Sequence, residues 1–354
     1  TWGGGTNRAI RDLAKGLAAE GISSLIMEPS QDAVIFSTMD GQIPVSISLT
    51  NGLTLLVEAL EKIGVFHIHI HQIIGYPALI KDLPALLGVK YDVSIHDYFF
   101  ICPRVQLIND YGIFCGQPDV EVCESCCSAK PLEQDIAPIF KKLGGTVADW
   151  REFHGKLLKA ARKVIAPSND VCNRIQRYRT LDNLQLLAHP EPGKLGILRP
   201  SYGERMSIAV IGAIGPHKGS ELLLRCAKYA KAKELPISFF IIGYTNMDDR
   251  FRELDNVVIT GKYESVDLPK LIDACGCTIA LFLSIWPETY SYTLSEALDL
   301  GLVPVAFDLG AFPERVEAVG RGLCIPFVPK AESIVETLLS LKDRDCDSTS
   351  ATGR

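Results

Sequence analysis

The sequence lacks three features that define large classes of protein. It contains no run of roughly eighteen or more apolar residues, the length that a membrane-spanning helix needs, and no signal peptide opens it. It also lacks an excess of positive charge, because its formal net charge is -6. A sequence-independent grip on nucleic acid phosphates is therefore not its main function. We expect a cytoplasmic protein that does not bind nucleic acid.

A dinucleotide-binding fingerprint is absent as well. No G-x-G-x-x-G motif follows the first strand of either half with an acidic residue about twenty positions later, which disfavours an NAD-dependent oxidoreductase. What is present is a globular composition, with 47% hydrophobic and 22% charged residues over a length of 354 residues. A chain of this length usually forms about two domains.

Strand-like apolar runs alternate with helical patterns along the whole sequence, which predicts an α/β architecture with mainly parallel sheets. The Pro- and Gly-rich segment HPEPGKLGILRPSYGE separates two such alternations and is typical of a linker. We therefore predict an N-terminal domain over residues 1–200, a C-terminal domain over 201–345 and a disordered tail over 346–354. Two doubly wound domains that face each other would form a central cleft lined by the carboxyl ends of strands.

The glycine-rich start, TWGGGTNRAIRDLAKGLAAEGI, runs into an amphipathic helical pattern. Turns of this kind normally follow a strand, and none precedes this one in the sequence. We therefore expect that the first strand of the N-terminal domain lies upstream and that the chain is part of a longer one.

The segment WPETYSYTLSEALDLG places two carboxylates around the start of a helix. The pattern predicts a loop that carries Pro287, followed by a helix that ends at Gly301. Glu288 and Glu296 are eight positions apart, close to a whole number of turns, so both would face the same side. The amides at a helix N-terminus suit a phosphate or a sugar hydroxyl. The alternative is a helix-start carboxylate beside an ordinary surface glutamate.

This segment resembles a known family. PETYSYTLSEAL followed by GLVPVAFDLGAFPE, with IAVIGAIGPHKGSELLL near the start of the second domain, is similar to the nucleotide-sugar glycosyltransferases of family 4. The resemblance implies the GT-B architecture, with two Rossmann-like, doubly wound domains facing a central cleft. It implies a retaining enzyme that moves a sugar from a nucleoside diphosphate sugar to an acceptor hydroxyl in glycan or polysaccharide assembly. The nucleotide sugar is a substrate, and no cofactor or divalent metal is needed for catalysis.

The resemblance also implies roles for individual residues. Glu288 would contact the donor sugar, Glu296 the ribose hydroxyls, and Lys218 would neutralise the diphosphate as a flexible point charge. Without the resemblance, Lys218 fits a solvated lysine at a helix start. The other donor-binding residues that it implies are Gly3, Gly4, Gly5, Gly215, Thr289, Tyr290, Ser291 and Tyr292.

The sequence departs from the family at one position. The family often has an arginine five residues before the lysine, where this sequence has Ala213. Either the phosphate affinity is weaker or another residue, such as His217 or Arg8, compensates. The missing arginine and the abrupt start favour an alternative of another class, a catalytically idle sugar-nucleotide-binding module of a larger protein.

Histidines mark the candidate site of the N-terminal domain. VSIHDYFFICPR is similar to a family segment in which a histidine at a strand end enters the active site, so His96 would act there with Asp97 alongside. HIHIHQIIGYP puts His67, His69 and His71 on one face of a strand. We interpret them as polar residues that border the cleft, with His71 and Asp97 on the acceptor side. A three-histidine metal site is the alternative, disfavoured because no acidic partner is near.

A cysteine cluster follows in CPRVQLINDYGIFCGQPDVEVCESCC. Its C-x-x-C pair and its polar, glycine-bearing loop are typical of small zinc-stapled insertions. The two open interpretations are reduced thiols without a metal and a structural zinc, whose ligands would be Cys102, Cys115, Cys123 and Cys126.

Basic and aromatic residues are mixed in KKLGGTVADWREFHGKLLKAARK. This segment would dock a lipid-linked acceptor or contact the inner membrane face peripherally. The alternative is an ordinary solvated helix face. The acceptor that the resemblance implies is a glycan or a lipid-linked molecule.

Overall fold

The structure is a computed structural model that describes residues 4–38, 45–189, 196–197 and 204–350, with only the backbone described for 342–350. The chain divides into two compact units, Thr1–Ala188 and His189–Arg354. Most of the predicted linker and Gly3 lie outside the described residues. Each unit is an α/β structure that contains a parallel sheet, which confirms the predicted fold class.

The described part of the first unit contains two separate sheets. Its strands are β1 (Leu25–Ser30), β2 (Ala33–Thr38), β3 (Val45–Ser48), β4 (His67–Ile70), β5 (Lys90–Ser94), β6 (Lys163–Ala166) and β7 (Leu184–Leu186). Its helices are α1 (Gly4–Ala19), α2 (Thr54–Lys62), α3 (Leu83–Leu86), α4 (Val120–Ala129), α5 (Ala137–Lys142), α6 (Val147–Ala160) and α7 (Asn169–Gln176). Strands β4, β5, β6 and β7 form a parallel sheet in that order.

The first three strands depart from the predicted parallel pairing. They form an antiparallel sheet in the order β1-β2-β3. Only Gln31 and Asp32 separate β1 from β2, and Gln31 has a φ of 47°. A connection of two residues closes only an antiparallel hairpin, because a parallel pair needs a crossover of a dozen or more residues.

Helix α6 covers the parallel sheet of the first unit with a buried aromatic face. The hydroxyl of Thr146 accepts a hydrogen bond from the Asp149 amide and caps the start of α6. Trp150 is fully buried and donates its indole N–H to the Phe99 carbonyl at 2.7 Å. Trp150 therefore belongs to the core and is not available to the predicted lipid- or membrane-docking surface.

The second unit is built on one six-stranded parallel sheet in the order β10-β9-β8-β11-β12-β13. Its strands are β8 (Met206–Ile214), β9 (Ile237–Thr245), β10 (Val257–Ile259), β11 (Ile279–Phe282), β12 (Val303–Phe307) and β13 (Leu323–Ile325). Its helices are α8 (Ser220–Ala232), α9 (Asp248–Arg252), α10 (Leu268–Cys275), α11 (Tyr292–Asp299), α12 (Phe312–Val319) and α13 (Ala331–Ser350).

This strand order is that of a doubly wound Rossmann sheet, and its direction reverses between β8 and β11. The two central strands are almost entirely apolar and buried, as a parallel sheet covered on both faces requires. Ligands of such sheets bind outside the carboxyl ends of the strands at the reversal point. The fold alone therefore places a candidate site beyond Ile214 and Phe282.

Helix α13 continues to Ser350, so residues 346–350, which the sequence predicts as part of a disordered tail, are helical. Residues 351–354 lie outside the described part of the chain. Within the part of the chain that the structure describes, no helix combines the length and the apolar character needed to cross a membrane.

Candidate active site

Two loops meet at the reversal point of the second unit's sheet. The first runs from Gly215 to Gly219 after β8, and the second follows β11 to the start of α11. The Ile285 amide donates to the His217 carbonyl at 3.0 Å, which joins the loops through their backbones. Gly219 has a φ of 80°, and a Cβ atom there would collide with the Leu283 carbonyl. Only glycine lets the two loops approach this closely.

Glu288 is fixed within the second loop and is only 6% exposed. Its carboxylate accepts a hydrogen bond from the Ser284 hydroxyl. Its backbone carbonyl accepts a hydrogen bond from the Ala311 amide at 2.8 Å. Gly310, at a φ of 72°, has no side chain, and the backbone of Glu288 occupies the space where a Cβ atom would lie. Packing and hydrogen bonds therefore hold the predicted sugar-contacting carboxylate in a single place.

His217 and Lys218 belong to the first loop, and His217 lies within electrostatic range of Glu288 on the second loop. Burial lowers the pKa of His217, the charge of Lys218 lowers it further, and the charge of Glu288 opposes both. The lowered pKa favours the uncharged imidazole, so His217 is poorly suited to replace the charge of the arginine that is missing at Ala213. Arg8, the other candidate for that role, lies on α1 of the first unit, 4.0 Å from Asp12.

The backbone before α11 has an unusual conformation. Ser291 lies in the left-handed region, with φ 75° and ψ 90°, and precedes the first residue of α11. A residue other than glycine holds such a conformation only where its surroundings impose it. Thr289 and Tyr290 are buried, so this stretch is packed against the core.

Sequence reasoning missed the residue that holds this stretch. Arg315, only 7% exposed on α12, donates from Nη1 to the carbonyls of Tyr290 and Ser291 at 2.6 and 2.7 Å. Its Nη2 donates to the Ser295 hydroxyl at 2.7 Å. Its guanidinium carbon lies 3.9 Å from the centroid of the Tyr290 ring. The one available signal was an arginine between Phe312 and Val316 on the apolar face of a helix.

Glu296, the second glutamate of the motif, is half-buried about one turn into α11. Its neighbour across the unit is Tyr263, whose pKa is raised to about 12 by burial and then by the charge of Glu296. A carboxylate and a phenol thus lie close enough to interact electrostatically, and both groups can hydrogen-bond a hydroxyl.

A second set of polar groups lies at the carboxyl edge of the first unit's parallel sheet. Because β4 and β5 are parallel neighbours, residues just past their ends are adjacent. The His71 Nδ1 and His96 Nε2 atoms are 2.8 Å apart, and the His69 Nε2 lies 2.8 Å from the Ser94 hydroxyl. The structure therefore brings the two predicted histidines, His71 and His96, into direct contact.

Asp97 completes this set. Its carboxylate accepts hydrogen bonds from the Gln72 side chain and from the Phe99 amide, both at 2.8 Å. Burial raises the pKa of Asp97 to about 6, although the two hydrogen bonds act in the opposite direction. A carboxyl group that titrates near neutral pH is suited to proton transfer.

The interpretation that no acidic partner lies near the histidines is wrong. Asp92 lies 3.3 Å from the His67 Nε2, and the register of β4 and β5 pairs it with His69. Arg162 also donates to this carboxylate. Burial lowers the pKa of His69 to about 4, and Asp92 opposes that shift. Within the described ranges, no three His, Cys, Asp or Glu side chains are arranged to hold a metal ion.

The cysteine cluster lines one cavity of about 390 Å³. Arg104 donates to the Cys126 sulfur at 3.1 Å and Arg151 to the Cys123 sulfur at 3.3 Å. Burial raises the pKa of Cys102 and of Cys115. The cavity lies in the described part of the chain, where no metal-binding arrangement is found, so the geometry gives the predicted zinc no support.

Two glycines at the start of the sequence begin a helix. Gly4 and Gly5 form the first residues of α1 and are exposed, so they are helical rather than part of a loop. Their predicted contact with the donor phosphates stays a prediction.

Residues 199–351 match the family model described as glycosyl transferases group 1. No curated protein matches the sequence significantly. Among solved structures, Anabaena Alr3699/HepE in complex with UDP-glucose has a TM-score of 0.51 at 12% identity, covering 83% of this chain and 73% of that one. The pneumococcal O-GlcNAc transferase GtfA, in complex with UDP and GlcNAc, has a TM-score of 0.52 at 14% identity, covering 88% and 61%.

TarM has a TM-score of 0.53 at 14% identity, covering 91% of this chain and 57% of its own. Likenesses at these identities show a shared fold. Together with the match over the second unit, they confirm the prediction of a glycosyltransferase with the GT-B fold. The assignment to family 4 stays a prediction.

Proposed function

We propose that this protein is a retaining glycosyltransferase that moves a sugar from a UDP-sugar to an acceptor hydroxyl in glycan or polysaccharide assembly. The observation that carries the proposal is the convergence of the Lys218 loop and the buried Glu288 at the reversal point of a doubly wound sheet. UDP is bound in the HepE and GtfA structures, which supports uridine as the base. A cytoplasmic location and a glycan or lipid-linked acceptor belong to the same proposal.

In this proposal the second unit stabilises the leaving group. The bond between the anomeric carbon and the diphosphate breaks, and the diphosphate keeps the electron pair. Lys218 and the amides around Ser291 and Tyr292 would supply the positive potential that stabilises that developing charge. The acceptor oxygen attacks from the same face of the sugar, and the departing phosphate takes its proton. Glu288 holds sugar hydroxyls and Glu296 ribose hydroxyls.

The first unit supplies the acceptor side of this proposal. His96 and His71 are held against each other, and Asp97 is fixed by two hydrogen bonds at the same edge of the sheet. Imidazole and carboxyl groups held in fixed positions can orient a hydroxyl and pass on its proton. His96 would contact the sugar or the acceptor, and His71 and Asp97 the acceptor.

A second candidate function is a sugar-nucleotide-binding module without catalytic activity. The observation that favours it is Ala213, an exposed alanine at the position where the family often has an arginine. Incubation with a panel of UDP-sugars, with and without a mixture of glycan acceptors, separates the two functions. Release of UDP that depends on acceptor supports transfer, whereas UDP binding without any release supports the module.

The site assignment is tested by Glu288→Ala. We expect transfer to fall at least about a hundredfold, because a fixed contact to the transferred sugar is lost, while the melting temperature changes little. Glu253→Ala, which removes an exposed carboxylate of the same unit, is the control and should keep normal activity. Near-normal turnover in Glu288→Ala would contradict the assignment.

A further inference from the structure

Arg315 is a buried cation of the second unit to which sequence motifs gave no role. Three hydrogen bonds and a ring contact fix its guanidinium beneath the stretch that leads into α11. Two of these bonds go to the consecutive carbonyls of Tyr290 and Ser291. An arginine that only filled space would not need to bridge two successive peptide groups.

The two carbonyls belong to the peptide units whose N–H groups are those of Ser291 and Tyr292. In a trans peptide the N–H points away from the C=O, and the described chain contains no cis peptide bond. Because Arg315 holds both carbonyls on its own side, both N–H groups face the opposite side. A charged donor on the carbonyl also polarises the peptide and makes its N–H a stronger hydrogen-bond donor.

The same contacts explain how Ser291 keeps its left-handed conformation. Its φ of 75° is unfavourable for a serine and has to be imposed by neighbouring groups. Arg315 binds the residue before it, the residue itself and, through the Ser295 hydroxyl, the first turn of α11. One buried side chain thus fixes the turn relative to the helix.

We infer that Arg315 is a positioning residue for the donor diphosphate: it orients and polarises the Ser291 and Tyr292 amides so that they bind the phosphates. This inference rests on the proposed function. The inference also explains how the site can work with Ala213 in place of an arginine. The charge of Arg315 does not touch the ligand, but it strengthens the two amides that bind the phosphates.

The test compares the affinities of UDP and UMP for the unaltered protein and for Arg315→Leu by titration calorimetry. The ratio of the two affinities isolates the second phosphate from the nucleoside. We expect this ratio to fall about tenfold in Arg315→Leu, because two amides lose their orientation. Arg321→Leu is the matched control, since Arg321 donates to the Gly196 carbonyl elsewhere in the same unit, and its ratio should be unchanged.

An unchanged ratio in a folded Arg315→Leu protein overturns the inference while leaving the proposed function intact. If the unaltered protein fails to bind UDP, the proposed function and the inference both fall. Should Arg315→Leu not melt cooperatively, Arg315→Lys decides, because lysine keeps the charge but cannot bridge both carbonyls and the Ser295 hydroxyl. For Arg315→Lys a fall of about threefold supports the inference, and an unchanged ratio overturns it.

Discussion

The two units place polar groups at the same position of a parallel sheet, yet they build the two sites differently. In the second unit the site is shaped by backbone contacts: Gly219 against Leu283, Gly310 against Glu288, and Arg315 on two carbonyls. In the first unit it is made of titratable side chains in contact with one another. A rigid backbone site suits a ligand of constant charge and shape, whereas a titratable site suits proton handling.

The largest expected effect comes from breaking the backbone contacts of the second unit. In Gly310→Ala the new Cβ would lie 2.5 Å from the Glu288 nitrogen at a φ of 72°, so Glu288 has to move. We expect a stability loss of about 2–4 kcal/mol and loss of most transfer activity. Chemical denaturation and a UDP-release assay measure both.

Gly276→Ala is the control for this change. It has a similar φ of 61° but no heavy atom within 4 Å of the new Cβ. Its cost should be the conformational penalty alone, about 1 kcal/mol, with full activity. Equal effects of the two substitutions would show that backbone packing at Glu288 has no special role.

The next effect concerns charge in the rigid site. Lys218→Met should raise the donor KM about tenfold, because the diphosphate loses a point charge while the loop keeps its backbone hydrogen bonds. Lys228→Met, on the exposed face of α8, should leave the KM unchanged. A KM that stays constant in Lys218→Met would remove this lysine from the donor site.

A smaller effect is expected in the titratable site. The pKa of Asp97 is raised from 3.8 to about 6, so the folded protein keeps this proton at pH values where the unfolded chain has lost it. This contribution to stability is complete below about pH 4 and is lost as the pH rises through 6. The stability of the unaltered protein relative to Asp97→Asn should therefore fall by about 2 kcal/mol between pH 4 and pH 7.

Urea denaturation of both proteins across this pH range measures the difference. Asp135→Asn, in which an exposed carboxylate of the same unit is removed, serves as the comparison. A flat profile for Asp97→Asn would mean that this carboxyl group is ionised throughout, and the first unit would lose its titratable character.

The smallest effect is expected outside both sites. Cys126→Ser should cost less than about 1 kcal/mol, because the Cys126 sulfur accepts one hydrogen bond from Arg104 and serine can accept it as well. Metal analysis of protein prepared without chelator accompanies the measurement. Stoichiometric zinc, together with a much larger loss of stability, would show that the thiols act as metal ligands after all.

The second unit was the more predictable from sequence. Its strands are buried apolar runs, its site loops follow them directly, and the motif from Pro287 to Gly301 lies where strand and helix signals place it. Such features depend on residues close together in the chain. The strand ends of β4 and β5 were equally visible, but the contact of His71 with His96 was not predicted, because it depends on the pairing of the two strands.

What the sequence could not predict depends on partners far apart in the chain. Arg315 binds carbonyls 24 and 25 positions away, and Asp92 reaches His67 only through the register of two strands. The burial of Trp150 was not predicted, because its acceptor, the Phe99 carbonyl, is 51 positions away. Local periodicity carries no information on such contacts, since they are set by how the elements pack.

The central claim is that the diphosphate of the donor binds where the loops after β8 and β11 meet. Hydrogen–deuterium exchange of the unaltered protein, with and without saturating UDP, tests it directly. We predict slower exchange in peptides that cover residues 215–219 and 284–292. Saturation with UDP that leaves both peptides unprotected, or protects only peptides elsewhere, would contradict the account.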